Sequence, residues 1–169
     1  MVSICFSCKE QSKQTANAES VNEVKKNIGI VLNKWHKAAA DANFEAYFDL
    51  MTTDAIFIGT DATENWDYSS FKEFSKPYFN KGKAWSFQPV QRNVFISEDK
   101  KIAWFDELLD TQMKLCRGSG VLKKENGNWK IAHYVLSIAV PNDNVAELIK
   151  IKKDTDSILT NKLKLQYPN

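Results

Sequence analysis

The sequence predicts an α+β fold in which helices come first and an antiparallel sheet follows. Two patterns indicate this order. Apolar residues recur at three- and four-residue steps near the start, and from residue 84 onward strand-like segments alternate with turn residues. The chain has 169 residues, of which 43% are hydrophobic, so it suits a single domain whose core could enclose a pocket.

The first helix begins with a clear capping signal. Residues 20–23 have the spacing of a capping box, with a serine followed three positions later by a glutamate. The apolar positions that follow lie on one helical face, namely Val21, Val24, Ile28, Leu32, Trp35 and Ala39. Because Trp35 occupies the buried face, we expect its neighbour His36 to point to solvent.

Two shorter helices flank a first strand. Asn43 can cap a short second helix with inward-facing aromatic residues, after which residues 51–54 turn the chain. Residues 55–61 predict the strand. A second capping box at residues 70–73 opens a third helix, which Pro77 should shorten or kink.

Four further strands are predicted at residues 85–97, 101–110, 113–124 and 128–140. The clearest turn between them is Asn126-Gly127, because a type I′ hairpin needs positive φ at both central residues. A turn at Thr111-Gln112 is less strongly signalled. Residues 141–143 then end the sheet. The last segment, from residue 145 to about 163, predicts a partly buried helix that lies across the domain or against a partner.

Composition argues against several classes of function. The 23 basic and 21 acidic residues nearly balance, and no basic stripe is interleaved with aromatic residues, so a nucleic-acid binder is not expected. No apolar run reaches the roughly 18 residues of a membrane span. Cys5 and Cys8 form a single C-x-x-C motif, without the second pair of ligands that a zinc site needs or the βαβ context of a redox site. Cys116 is expected to be a small buried residue of a strand. We therefore predict neither a metal nor a cofactor.

The N-terminus leaves two interpretations open. Residues 1–8 resemble the end of an apolar signal segment before a cysteine, and the polar run that follows resembles a lipoprotein tether. Residues 1–19 are thus either a disordered N-terminus or such a tether. The protein would be cytoplasmic in the first case, and periplasmic or lipid-anchored through Cys8 if the true start lies upstream. We expect a domain over residues 20–142 and a helical extension over residues 143–169.

The strongest resemblance to a known family lies in residues 117–137. This segment is similar to the C-terminal hairpin of SnoaL-like proteins, in the nuclear transport factor 2-like superfamily, and the segments around Trp104 and Phe57 fall where that family has similar residues. The family pattern often has a second histidine two residues after the first, where this chain has Val135. The resemblance implies a cone, in which a curved antiparallel sheet wraps around the N-terminal helices and leaves a cavity.

Counting strand pairs back from Asn126-Gly127 places His133 opposite Gly120, and Val135 opposite Gly118. Two glycines facing a histidine leave room for a pocket wall, although the same glycines could mark a sheet bend with His133 in the core. The family resemblance favours the pocket. His133 is therefore one candidate catalytic residue.

A turn at Thr111-Gln112 would place Asp106 across from Arg117, with Trp104 nearby. Such a pair could act as an acid/base unit or be a structural ion pair, and a one-residue slip of the register would change the faces. We take Asp106 as the second candidate catalytic residue. Arg117 and Trp104 are candidate ligand-binding residues, together with Tyr47 and Trp66, which the cone architecture places on its rim or wall.

Two functions from different classes remain open. The resemblance favours a homodimer that binds a small hydrophobic ligand in the cone, with cofactor-free proton transfer if it is an enzyme. The alternative is a non-catalytic protein-association domain with a filled or vestigial cavity. An open cavity lined by a carboxylate or by His133, without internal ion pairing, would favour the first function, and a cavity filled by Trp and Phe side chains would favour the second.

Overall fold

The computed structural model describes residues 19–167, which form four α-helices and six strands. The helices are α1 (Val21–Ala40), α2 (Phe44–Asp49), α3 (Tyr68–Asn80) and α4 (Val145–Gln166). The strands are β1 (Met51–Ile58), β2 (Asn65–Asp67), β3 (Phe87–Ile96), β4 (Ile102–Thr111), β5 (Lys114–Glu125) and β6 (Asn128–Ile138). The predicted α+β class is confirmed, with the helices first, a curved sheet and an added C-terminal helix.

The six strands form one open sheet in the order β2-β1-β6-β5-β4-β3. Strands β3 to β6 make the predicted antiparallel meander, but β1 pairs with β6 in parallel, so the sheet is mixed. The turn predicted at residues 51–54 is wrong, because β1 already begins at Met51 and only its register with β6 is interrupted between Met51 and Ile56. The short edge strand β2 was not predicted.

Helix α3 begins earlier than its sequence indicates. Asp67 is the N-cap, and its carboxylate accepts a hydrogen bond from the Ser70 N–H, so the predicted start at residue 70 is three residues late. Pro77 lies inside the helix, which nevertheless continues to Asn80. The proline removes one helical N–H donor without ending the helix.

The core lies between the helices and the inner face of the sheet. The apolar face of α1 is buried as predicted, and Trp35 stacks on Tyr47 of α2 with ring centroids 4.9 Å apart. Trp35 also meets the ring of Tyr134 from β6 edge-on at 4.8 Å. Phe57 from β1 stacks on Phe71 from α3 at 4.0 Å. Aromatic rings thus fill much of the space that the sheet encloses.

Two hairpin turns decide which side chains face that core. The turn at Asn126-Gly127 is confirmed, with φ of 49° and 84° at its central residues. The turn between β4 and β5 is one residue later than predicted, because Thr111 pairs with Lys114 and leaves Gln112 and Met113 as the loop. Asp106 therefore pairs with Ser119, and Glu107 with Gly118.

A β-bulge in β6 changes the faces again. Ile131 pairs with Leu122 as predicted, but His133 pairs with Val121, so Ala132 is an extra residue on its strand. After the bulge Tyr134 is opposite Gly120 and faces the core, and His133 faces outward. The predicted pairing of His133 with Gly120 is wrong for this reason.

Helix α4 follows the last strand and packs only loosely against the rest of the domain. It has 22 residues, and none of its side chains is fully buried. An open groove separates it from the ends of β1 and β6. Among residues 19–167, no helix is both long and apolar enough to cross a membrane.

Candidate functional site

A buried carboxylate, Glu107, organises the polar groups inside the cone. Its Oε1 lies 2.7 Å from His36 Nε2 and accepts a hydrogen bond of 3.2 Å from the Tyr134 hydroxyl. Its Oε2 lies 2.8 Å from Arg92 Nε and 2.7 Å from Arg92 Nη2. The carboxylate is fully buried and His36 is 4% exposed. The predicted solvent exposure of His36 is therefore wrong.

Arg92 ties this cluster to helix α1. Its Nη1 donates to the Asn33 side-chain oxygen at 2.7 Å and to the Gly29 carbonyl at 3.3 Å. The guanidinium thus joins β3, β4 and α1 through one side chain. Both oxygens of Glu107 accept hydrogen bonds, and these bonds offset the free-energy cost of burying its charge.

The electrostatics of the cluster agree with this geometry. Burial raises the pKa of the Glu107 carboxyl, but the hydrogen bond from His36, the His36 charge and the Arg92 guanidinium outweigh burial and leave that pKa below its ordinary value. Burial, followed by the charge of Glu107, raises the pKa of the Tyr134 hydroxyl well above 10. Glu107 is thus held as a carboxylate and Tyr134 as a neutral donor, so neither is an acid or base ready to exchange protons near neutral pH.

The predicted site residues lie elsewhere. Asp106 and Arg117 are on the outer face of the sheet, where Asp106 accepts a hydrogen bond from the Asn93 side chain at 3.0 Å. Arg117 pairs with Leu108, not with Asp106. His133 is half-buried on the same outer face, and Trp104 is 47% exposed there. The structure therefore brings these four residues to one surface, but not to the interior.

The glycines opposite β6 do not line an empty space. An ideal Cβ on Gly118 would lie 2.2 Å from the Tyr134 hydroxyl, and one on Gly120 would lie 2.8 Å from the Phe105 ring. The room that the glycines create is thus occupied by aromatic side chains of the core. The pocket predicted beside them is absent from this part of the described chain.

A small cavity of about 110 Å³ remains at the mouth of the cone. Its lining is mainly aromatic, with Trp66, Phe71, Phe74 and Trp85 among the walls and the side chain of Glu64 at the edge. Trp66 is one of the residues that line this cavity. Tyr47 is 1% exposed and belongs to the core instead. Ligand pockets usually measure about 300–1,000 Å³, so this cavity is too small for a drug-sized molecule.

The outer face of the sheet carries a continuous row of side chains. Across the strands it runs through Phe95, Trp104, Val121, His133 and Ile56. Phe95 and Trp104 stack with ring centroids 5.9 Å apart, and they are 44% and 47% exposed. We call this row the outer-face row. Two large exposed aromatic rings at its end form an apolar surface that lacks a partner within the described chain.

The sequence analysis identified neither Glu107 nor His36 as a buried polar residue, although the helical spacing of His36 indicates that it is buried. His36 follows Leu32 by four residues and Ile28 by eight, which continues the buried stripe of α1. Glu107 is harder to find, because only the correct turn places it on the inner face. Among residues 19–167, no three His, Cys, Asp or Glu side chains are arranged to hold a metal ion.

Comparison with known proteins agrees with the cone. Residues 28–141 match the model of the SnoaL-like domain. The chain belongs to the SnoaL-like domain family. No curated protein sequence matches it. Within the family, cavity chemistry must be argued from each member's own residues, because the fold alone does not specify a function.

Solved structures share the fold of this SnoaL-like domain at low identity. A nuclear transport factor 2-like protein of unknown function from Pseudomonas putida KT2440 superposes with a TM-score of 0.60 and 13% identity, over 75% of this chain and 93% of that one. A nuclear transport factor 2-like family protein from Streptomyces avermitilis, named as a candidate dehydratase, gives 0.63 and 10%, over 72% and 100%. The association domain of C. elegans CaMKII gives 0.56 and 21%, over 67% and 94%. These likenesses concern the fold.

Proposed function

We propose that this SnoaL-like domain is a non-catalytic association domain that self-assembles through the outer face of its sheet. The observation that carries the proposal is the exposed Phe95–Trp104 stack on a face whose opposite side is a filled core. Monomeric proteins rarely expose large contiguous apolar patches, and those that do usually use them for contact.

The filled interior supports this function over cavity chemistry. Trp35, Tyr47 and Tyr134 are among the fully buried side chains, and Glu107 has donors on both oxygens. An acid/base catalyst needs a titrating group that a substrate can reach. Glu107 is neither reachable nor free of partners.

The residues predicted as a catalytic site take another role in this proposal. His133 lies within the outer-face row, and Asp106 and Arg117 lie on one side of it, so polar groups adjoin the apolar residues as they do at the rim of an interface. In a two-fold dimer each copy presents the same patch, so Asp106 of one copy could meet Arg117 of the other. The association domain of C. elegans CaMKII shares the fold, and this likeness supports an association role.

The test is the oligomeric state of the purified chain. We expect a dimer by sedimentation velocity, and we expect Trp104→Glu to convert it to monomer, because a charge would be buried without a partner. Tyr78→Glu is a matched control, since Tyr78 is a 44% exposed aromatic residue on α3. A wild-type chain that stays monomeric at every concentration would refute self-association.

A second candidate function is the binding of a very small ligand at the mouth of the cone. The favouring observation is the aromatic lining of the 110 Å³ cavity, with Trp66 stacked on Phe74 at 4.4 Å and Glu64 at its edge. Thermal stabilisation by a panel of small aromatic and short acyl compounds would reveal such a ligand. The stabilisation should be lost in Trp66→Ala, and no response from any compound would argue against this function.

A further inference from the structure

We propose that the groove between α4 and the outer face of the sheet receives the α4 helix of a second copy, so that two copies exchange their C-terminal helices. This inference rests on the proposed self-association and names the element that covers the outer face. It assigns a role to α4, the longest helix among residues 19–167, which contributes no side chain to the buried core.

Helix α4 lacks the packing that normally stabilises a helix. Ile151, Ile158 and Leu165 are 73%, 72% and 85% exposed. Within the described chain, its side-chain bonds connect only residues of the helix itself, as in the Lys152–Asp156 ion pair and the bond from Ser157 Oγ to the Lys153 carbonyl. Because helices gain most of their stability from packing an apolar face, α4 requires a surface that one copy does not supply.

The groove has room for a helix. Its volume is about 740 Å³, with Ile58, Val135 and Ser137 on the sheet side and Thr155 and Leu159 among the residues on the α4 side. A helix is about 10 Å wide and rises 1.5 Å per residue, so this volume corresponds to roughly one and a half helical turns. The sheet side of the groove is the outer face, because Ile58 pairs with Val135 one row beyond His133.

The apolar residues of α4 are arranged as an exchange of helices between two copies requires. Leu148 and Leu159 are half-buried, and Leu159 lines the groove. Ile151, Ile158 and Leu165 follow one another at seven-residue steps and form a second stripe, whose middle residue Ile158 also lines the groove. If each helix entered the other copy's groove, the first stripe would meet the partner helix and the second would meet the partner's sheet. Two-fold symmetry makes both contacts identical in the two copies.

Charge favours the same occupant. Asp61 and Glu64 lie in the loop that lines one end of the groove. From residue 157 to residue 166 the charged side chains of α4 are Lys162 and Lys164, both basic. Lys152 and Lys162 of the same copy already line the groove, and a second copy of α4 would bring a further Lys162 and Lys164 to the acidic loop, which gives a favourable contact.

The length of α4 allows one helix to cover the whole apolar face. At 1.5 Å per residue its 22 residues extend about 33 Å. Six strands spaced at about 4.8 Å span about 24 Å. A partner helix that enters beside Val135 is thus long enough to reach the Phe95–Trp104 stack on β3 and β4.

The experiment uses the full 169-residue chain and compares two adjacent positions on α4. We expect Ile158→Glu to raise the dimer dissociation constant at least about tenfold in sedimentation velocity, because the helix stripe would carry a charge into the interface. Ser157→Glu is the control, since Ser157 lies on the polar side of the helix, and it should leave the dissociation constant within about twofold.

Hydrogen exchange provides a second readout that does not depend on a variant. If the partner copy covers α4, amide protection over residues 145–166 should fall on dilution below the dissociation constant, while protection of α1 stays unchanged. Protection of α4 that does not vary with concentration in a chain that dimerises would overturn the exchange.

Failure of the exchange and failure of self-association give different results. A dimer that Trp104→Glu disrupts but Ile158→Glu leaves intact would overturn the exchange and retain the association. A chain that is monomeric at all concentrations would overturn both. Protection of α4 in such a monomer would mean that the helix closes onto its own sheet.

Discussion

The hydroxyl of Tyr134 occupies the space that a side chain at Gly118 would need. An ideal Cβ at position 118 would lie 2.2 Å from the Tyr134 hydroxyl and 3.1 Å from Glu107 Cγ. The glycine therefore permits the hydrogen bond of 3.2 Å between Tyr134 and Glu107. A residue that sequence reasoning assigned to a pocket wall instead allows the buried polar cluster to form.

Replacing Gly118 by alanine should destabilise the protein. The added methyl group must displace Tyr134 or bend β5, and overpacking of this kind costs about 1–3 kcal/mol. Chemical denaturation monitored by tryptophan fluorescence would measure the change in the free energy of unfolding. An unchanged or higher stability would show that Tyr134 moves aside at no cost.

Replacing Gly29 by alanine should instead raise the free energy of unfolding. Gly29 lies inside α1, and an added Cβ there meets no atom within 4 Å. Alanine is favoured over glycine in helix interiors, so Gly29→Ala should stabilise the protein by about 0.5–1 kcal/mol. A loss of stability in the same denaturation assay would mean that the Arg92 contact to the Gly29 carbonyl restrains this turn.

Stability should fall in acid because of Glu107. Its pKa in the folded protein lies below the ordinary value of 4.5, so the carboxylate stabilises the fold fully above that value and loses this contribution as pH falls through the lower folded pKa. We expect Glu107→Gln to be less stable at neutral pH and to show a weaker loss between about pH 5 and pH 2. Denaturation across a pH series would measure both effects. Parallel curves for the two proteins would contradict a charged Glu107.

The sequence predicts the elements of this fold better than it predicts their faces. The helices near Ser20 and Asn43, the Asn126-Gly127 hairpin and the final helix follow from local chemistry that acts within a few residues. Which side chains lie on the inner face of the sheet depends on the position of one turn and one bulge, each to within a single residue. The extra residue Ala132 is itself small and apolar and directly follows Ile131, so the alternation pattern does not mark the position of the bulge.

The one-residue offset of the β4–β5 turn explains why the buried carboxylate is Glu107 and not the predicted Asp106. With the β4–β5 turn at Gln112-Met113, Glu107 pairs with Gly118 and faces Tyr134, while Asp106 turns outward. Glu107, which the sequence analysis did not single out, thus faces the interior in place of Asp106. Long-range packing selects between the two registers, because burying Phe105 and Leu109 on the inner face requires Glu107 to lie there as well.

If the ion pair of Glu107 and Arg92 has only a structural role, two apolar side chains should be able to take its place. Arg92→Met alone leaves a buried carboxylate with one charged partner fewer, and Glu107→Leu alone leaves the guanidinium without its carboxylate, so each single variant should lose about 3–5 kcal/mol. The double variant removes both charges, and its loss should be much smaller than the sum of the two single losses. Denaturation of the four proteins completes the cycle, and sedimentation of the double variant should still give a dimer. Additive losses, or a stable double variant that no longer dimerises, would contradict a purely structural role for the pair.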